Sequence, residues 1–139
     1  MVEGETVLNE ANDVDFIAVA SSSATQFNDI NDLKVGTVTA EAVSADRAMS
    51  AMNGTVDAAA MSITGITTSD DDVKLTAEGN LTLEEAVSLG EGDLFLDVNG
   101  DVTQTADGTI DARGLGLMVE GETLLNEAND IDVLSLIHI

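Results

Sequence analysis

The sequence predicts an all-β protein, a parallel β-solenoid whose chain winds through coils of about 21 residues. Three observations predict it: a long internal duplication, a shorter period nested inside it, and a composition unlike that of a compact globular domain.

The duplication is direct. Met1–Asp15 reads MVEGETVLNEANDVD and Met118–Asp132 reads MVEGETLLNEANDID, 117 residues later (118 − 1), with 13 of 15 positions identical. The two differences, Val7/Leu124 and Val14/Ile131, exchange one aliphatic side chain for another.

Written in lines of 21 from Val73, the chain places VKLTAEGNLTL (Val73–Leu83) over LFLDVNGDVTQ (Leu94–Gln104) over LGLMVEGETLL (Leu115–Leu125). Val73, Leu94 and Leu115 form one column, Leu75, Leu96 and Leu117 the next, and Ala77, Val98 and Val119 a third. The residues between them are mostly polar or small, the period of two expected of a strand with one buried face. Gly79, Gly100 and Gly121 then stack, which predicts a corner where φ is positive or the chain passes close to a neighbour. A second strand follows with Leu81 over Val102, and Leu89, Ile110 and Ile131 form a further aliphatic column that marks a third. Each line reads strand, glycine turn, strand, loop, strand. A perimeter of roughly 70 Å, at about 3.3 Å per extended residue, closes into one coil of three short sides. A single coil cannot bury its apolar face, so its first partners are the neighbouring repeats.

Composition agrees. Three Phe, no Trp and no Tyr among 44% hydrophobic residues describe a narrow core of Val, Leu, Ile and Ala. Proline is absent, which leaves the strand ladders unobstructed. Cysteine is absent too, which removes disulfides and thiolate metal sites and suits export through an oxidising compartment.

Domain organisation follows: a solenoid repeat fragment over 1–133, its second 117-residue copy opening at Met118, and a tail over 134–139. Met1 aligns with Met118 in mid-coil and is followed by no leader-like segment, so it reads as an internal methionine of a longer protein. Leu134–Ile139, LSLIHI, matches the translation of a transposon adaptor end and is read as non-native, which leaves His138 without a function. Phe16–Ala20 and Leu33–Val38 read as strands of earlier coils. Glu41–Met52 breaks the pattern: Ala45, Ala48, Met49 and Met52 have helical spacing, so the segment is either a short helical insertion near 41–52 or an irregular pair of strands.

Charge narrows the function. Twenty-seven acids against four bases give −23, which excludes nucleic acid and anionic membrane surfaces as partners, and no apolar run is long enough to insert in a bilayer as a helix. Stacking would repeat Glu78, Asn99 and Glu120, and likewise Asn80, Asp101 and Glu122, about 5 Å apart along two ridges beside the glycine corner. Such ridges, or Asp70, Asp71 and Asp72, supply the hard oxygen ligands that Ca²⁺ needs; otherwise they are a solvated acidic face. Asp97, Asn99 and Asp101 begin a D-x-N-x-D calcium loop, but Val102 replaces its glycine and Gly108 its bidentate acid. No cysteine nucleophile, HExxH motif or phosphate loop is present, and no pair of acids stands out as in the solenoid polysaccharide enzymes, so the chain does not read as an enzyme.

Gly65–Val87, Leu94–Leu117 and Asn126–Leu134 together resemble filamentous-haemagglutinin-like repeats of large bacterial exoproteins and adhesins exported by two-partner or autotransporter routes. The resemblance implies a right-handed parallel β-helix at the bacterial outer surface or outside the cell. It brings no catalytic or ligand-binding residue with it. Two functions fit: a structural shaft, or a surface that meets glycans or a host or neighbouring cell, with Ca²⁺ as its cofactor.

Overall fold

In the computed structural model, which describes residues 4–41, 43–46 and 55–139, the chain is all-β and winds through six stacked coils. The first coil holds β1 (Thr6–Asn12), β2 (Phe16–Ile17) and β3 (Val19–Ala20). The second opens with β4 (Thr25–Asp29) and β5 (Leu33–Val35), and leaves the solenoid through β6 (Thr37–Ala40) and β7 (Val43–Asp46). It returns through β8 (Thr55–Ala58) and β9 (Met61–Thr64) and closes with β10 (Ile66–Thr67). The later coils run through β11 (Val73–Ala77), β12 (Leu81–Leu83), β13 (Val87–Val98), β14 (Val102–Gln104), β15 (Ile110–Val119), β16 (Thr123–Leu124) and β17 (Asp130–His138).

The stacking is parallel throughout the solenoid, and its register defines three sides. On the first side Thr6, Thr25, Val73, Leu94, Leu115 and Leu134 are successive partners, and Leu8, Phe27, Leu75, Leu96, Leu117 and Leu136 run beside them. The second side aligns Leu33, Leu81, Val102 and Thr123. On the third side β13, β15 and β17 bend round the corner from the first, so that both sides belong to one eight-stranded sheet. Alternation decides which residues face inward: β11 and β12 both read buried, half-buried, buried. Leu33, Leu75, Leu81, Leu83, Leu89, Leu94 and Leu96 are completely buried, each side chain contributing roughly 1.5–3 kcal/mol of hydrophobic stabilisation.

Two expectations are corrected. Ile110 lies beside Val87, not Leu89, and Ile131 beside Ala112, not Ile110, so the column Leu89, Ile110, Ile131 is not formed. The reason is a compensated shift. Thr105–Thr109 makes a longer corner than Glu84–Ala86, and β13 absorbs the difference in two register shifts, one between Ser88 and Gly90 and one between Gly90 and Asp93; Gly90, at their junction, has φ of +60°. Leu89 still points into the core, while Ile131 packs against its edge. The other correction concerns Glu41–Met52. Val43–Asp46 is a strand, paired antiparallel with Thr55–Ala58 and continuing the antiparallel pair β6 and β9, so the helical alternative fails there; residues 42 and 47–52 lie outside the described residues. Cross-strand pairing, which includes the hydroxyl contacts Thr37–Thr64 at 3.0 Å and Thr39–Ser62 at 3.1 Å, prevails over local helix propensity. This arm separates Thr25 from its partner Val73 by 48 residues, where the later coils need 21.

The duplicated peptide does not occupy equivalent places. Thr6 and Val7 lie on the first side against Thr25 and Gln26, whereas their counterparts Thr123 and Leu124 lie on the second side against Val102 and Thr103. Leu134–His138, whatever its origin, alternates as a strand must and pairs in register with Leu115–Val119.

Candidate functional site

The acidic corners are the most distinctive chemistry of the surface. At the corner between the first and second sides, Asp32 Oδ1 accepts the backbone N–H of Asn80 at 2.7 Å. Asn80 Oδ1 accepts that of Asp101 at 2.8 Å, and Asp101 Oδ1 that of Glu122 at 2.7 Å. A side-chain oxygen thus rises one coil at each step to hold an amide of the coil above. Gly79, Gly100 and Gly121 precede the receiving residues because that oxygen, together with the backbone of the coil below, fills the space a Cβ would need. Of the two reasons expected for these glycines, close approach is the operative one; positive φ belongs instead to Gly4, Gly65 and Gly90.

The corner between the third and first sides repeats the device. Asp70, itself at φ of 65°, accepts the N–H of Glu91 at 3.1 Å, and Asp72 accepts that of Asp93 at 2.9 Å. Asp71 is held within its own coil, its carbonyl accepting the Thr68 hydroxyl at 2.8 Å. Gly90 lies over the Asp70 carboxylate and Gly114 over that of Asp93. Glu78 and Glu120 stand exposed just before the glycine corner. Of the residues considered for calcium, Asp70, Asp72 and Asp101 therefore act as acceptors for backbone amides. No three carboxylates converge on a point that could hold a metal ion among the described residues.

Asp29 was not singled out by sequence reasoning. It ends β4 on the inner face, beside Ala77, and is fully buried. Its Oδ1 accepts the N–H of Val14 at 3.0 Å and its Oδ2 that of Asn31 at 3.2 Å, so the carboxylate ties the first coil's corner to the second's. The signal was present as an Asp at a period-two core position of a strand.

The cations are distributed in the same way. Lys34 pairs with Glu84 at 2.9 Å, Lys74 with Asp97 at 3.9 Å and Arg113 with Asp93 at 2.6 Å, each across one coil boundary. The hydrogen bond from Arg113, helped by its charge, holds the Asp93 carboxyl below the usual aspartate value, and the bond to Glu84 raises Lys34 above the usual lysine value. Lys34 also lies 5.3 Å from the Phe16 ring and Lys74 5.4 Å from that of Phe95. Both rings pack over a glycine of the next coil, Gly36 and Gly116. Beside Phe95 lies a shallow open cleft of about 330 Å³, lined among others by Asp93, Arg113, Gly114, Gly116 and Ser135.

Comparison with protein-family models, curated proteins and solved structures finds no match. The functional argument therefore rests on geometry. Among the described residues no helix is long and apolar enough to cross a membrane.

Proposed function

We propose that this chain is part of a structural shaft, a segment of a secreted or surface-exposed bacterial adhesin of the filamentous-haemagglutinin-like kind, without catalysis of its own. The observation that carries this reading is the use of the surface acids and cations. Asp32, Asn80 and Asp101 each hold the coil above, and Lys34, Lys74 and Arg113 each bridge two coils. Polar groups employed in this way lengthen and stiffen a stack, as a spacer requires. The bacterial surface and the adhesin are carried by the resemblance of the repeats.

A tandem array of the 117-residue unit tests the reading. Electron microscopy should show unbranched rods whose length grows in proportion to the number of units, and the array should bind neither cells nor glycans saturably. Saturable binding would overturn the pure shaft in favour of the second reading, a repeat surface that binds glycans. That reading draws its support from the cleft beside Phe95, where an aromatic ring stands next to the Asp93–Arg113 pair. Loss of such binding on Phe95→Ala would assign it to that cleft.

A further inference from the structure

Asparagine stands where the corner ladder otherwise uses aspartate. Asp32 and Asp101 each hold the amide of the coil above through a carboxylate oxygen, and Asn80 does the same through its amide oxygen, at 2.8 Å from the Asp101 nitrogen. The partner is an N–H donor, so the side chain turns its oxygen towards Asp101 and leaves Nδ2 out of the ladder. Asn80 is exposed, and its Nδ2 donates no hydrogen bond among the described residues. The residues around it complete a motif. Glu78, Gly79, Asn80, Leu81 and Thr82 read acid-x-Asn-x-Thr, and Asn-x-Thr without an intervening proline is the acceptor sequence for N-linked sugars. The fold sorts these residues by side: Leu81 is fully buried in the core, Glu78 and Asn80 are exposed, and Thr82 lies on the outer face of β12. Beside them an open polar hollow of about 440 Å³, lined by Asp15, Asn31, Asp32, Glu78 and Gly79, leaves room for a bulky group. The acceptor sequence recurs once, at Asn53, outside the described residues.

We infer that Asn80 is an attachment site for an N-linked glycan, carried on the glycine corner of the solenoid. The sugar arrives as a glycosyl diphosphate, borne either by a nucleoside or by a polyprenol, and a transferase of the producing cell supplies the catalytic base. Asn80 Nδ2 attacks the anomeric carbon. The C–N bond forms as the C–O bond to the diphosphate breaks, its electron pair leaves on the diphosphate, and one proton of the amide nitrogen passes to the base. The carbonyl is untouched, so Asn80 Oδ1 still accepts the Asp101 N–H. Sugar and ladder thus use opposite ends of one amide. Aspartate at the same place, as in Asp32 and Asp101, serves the ladder equally but offers no nitrogen to modify. The inference does not depend on the shaft reading, since a glycan on the corner leaves the inward apolar columns undisturbed.

Co-expression of the full chain with an asparagine-modifying glycosyltransferase tests it, one host supplying a sugar nucleotide and a second a polyprenyl-diphosphate glycan. Trypsin cuts after Arg47, Lys74 and Arg113, so Asn53 and Asn80 fall in different peptides, Ala48–Lys74 and Leu75–Arg113. Mass spectrometry should find the sugar on Leu75–Arg113, and the host in which it appears identifies the donor. Asn80→Asp keeps the ladder oxygen and Thr82→Val removes only an outward hydroxyl; each should abolish the modification of that peptide. The glycosylated protein should melt at the temperature of the unmodified chain, whereas Asn80→Ala, which removes the oxygen, should melt lower. Leu75–Arg113 free of sugar in both hosts would overturn the inference, and so would sugar on that peptide that survives Asn80→Asp. A melting temperature lowered by the sugar as far as by Asn80→Ala would sink it too, because the two ends of the amide would then not serve together.

Discussion

Asn80 and Asp101 share a hydrogen bond across a coil boundary: the Asn80 side-chain oxygen accepts the Asp101 backbone N–H at 2.8 Å, while the Asp101 carboxylate does the same for Glu122 at 2.7 Å. One residue is thus a receiver towards the coil below and a holder towards the coil above.

The acceptor, not the charge, should therefore matter at this corner. Asp101→Asn keeps an oxygen in place and should change stability by less than about 0.5 kcal/mol, whereas Asp101→Ala should lose about 1 kcal/mol, typical of one intramolecular hydrogen bond. Urea unfolding of both variants checks this, and equal losses would refute the ladder's role.

Glycine should be required to different degrees at different corners. A Cβ at Gly100 meets the Gly79 backbone carbonyl as well as Asn80, neither of which can move freely, so Gly100→Ala should cost about 1–3 kcal/mol or more. The nearest atoms a Cβ at Gly116 would meet all belong to the ring of Phe95, which is 37% exposed and can rotate away, so Gly116→Ala should cost less than about 1 kcal/mol. Melting temperatures of the pair give the comparison.

Thr25 is an opportunity for stabilisation. It lies in an inward column next to Val73, only 4% exposed, and its hydroxyl has no partner among the described residues. Thr25→Val removes the unpaired group at nearly constant shape and should stabilise by about 1–2 kcal/mol, read as a higher melting temperature.

The pH dependence has a sign on each side. Asp93 is depressed by Arg113, so its contribution is present above the ordinary value of 3.8 and disappears as pH falls through the lower folded value. Lys34 is raised by Glu84, so its contribution is present below 10.5 and disappears as pH rises through the higher folded value. Arg113→Ala should reduce the stability difference between neutral and acid pH, and Glu84→Gln that between neutral and alkaline pH. Thermal melts across pH would show both, with small effects because these groups are exposed.

Removal of divalent cations gives a fifth expectation. Because Asp70, Asp72 and Asp101 are engaged with backbone amides and no three carboxylates converge among the described residues, chelation at fixed ionic strength should leave the melting temperature unchanged. A fall on chelation would restore the calcium reading.

Much of this architecture could be read from spacing. The columns through Leu75, Leu96 and Leu117 were visible because strand alternation is local and a constant 21-residue spacing carries it from coil to coil. The glycine corner was legible for the same reason, though the oxygen ladder that requires it was not: in sequence Asn80 and Asp101 look like repeated polar residues, and only stacking turns one into the other's partner. The misplaced Ile110 has a similar origin. A corner longer by two residues and two register shifts in β13 that absorb them leave the total at 21, so the period conceals the shift.

The duplicated peptide draws the boundary most clearly. Its composition and alternation dictate an extended chain with an apolar face in both copies, and both copies form strands. Which side of the solenoid each strand joins is another matter: Thr6 pairs on the first side and Thr123 on the second, although the peptides around them are nearly identical. A parallel strand takes its hydrogen bonds from the neighbouring coil, so that coil, and not the peptide, selects the side.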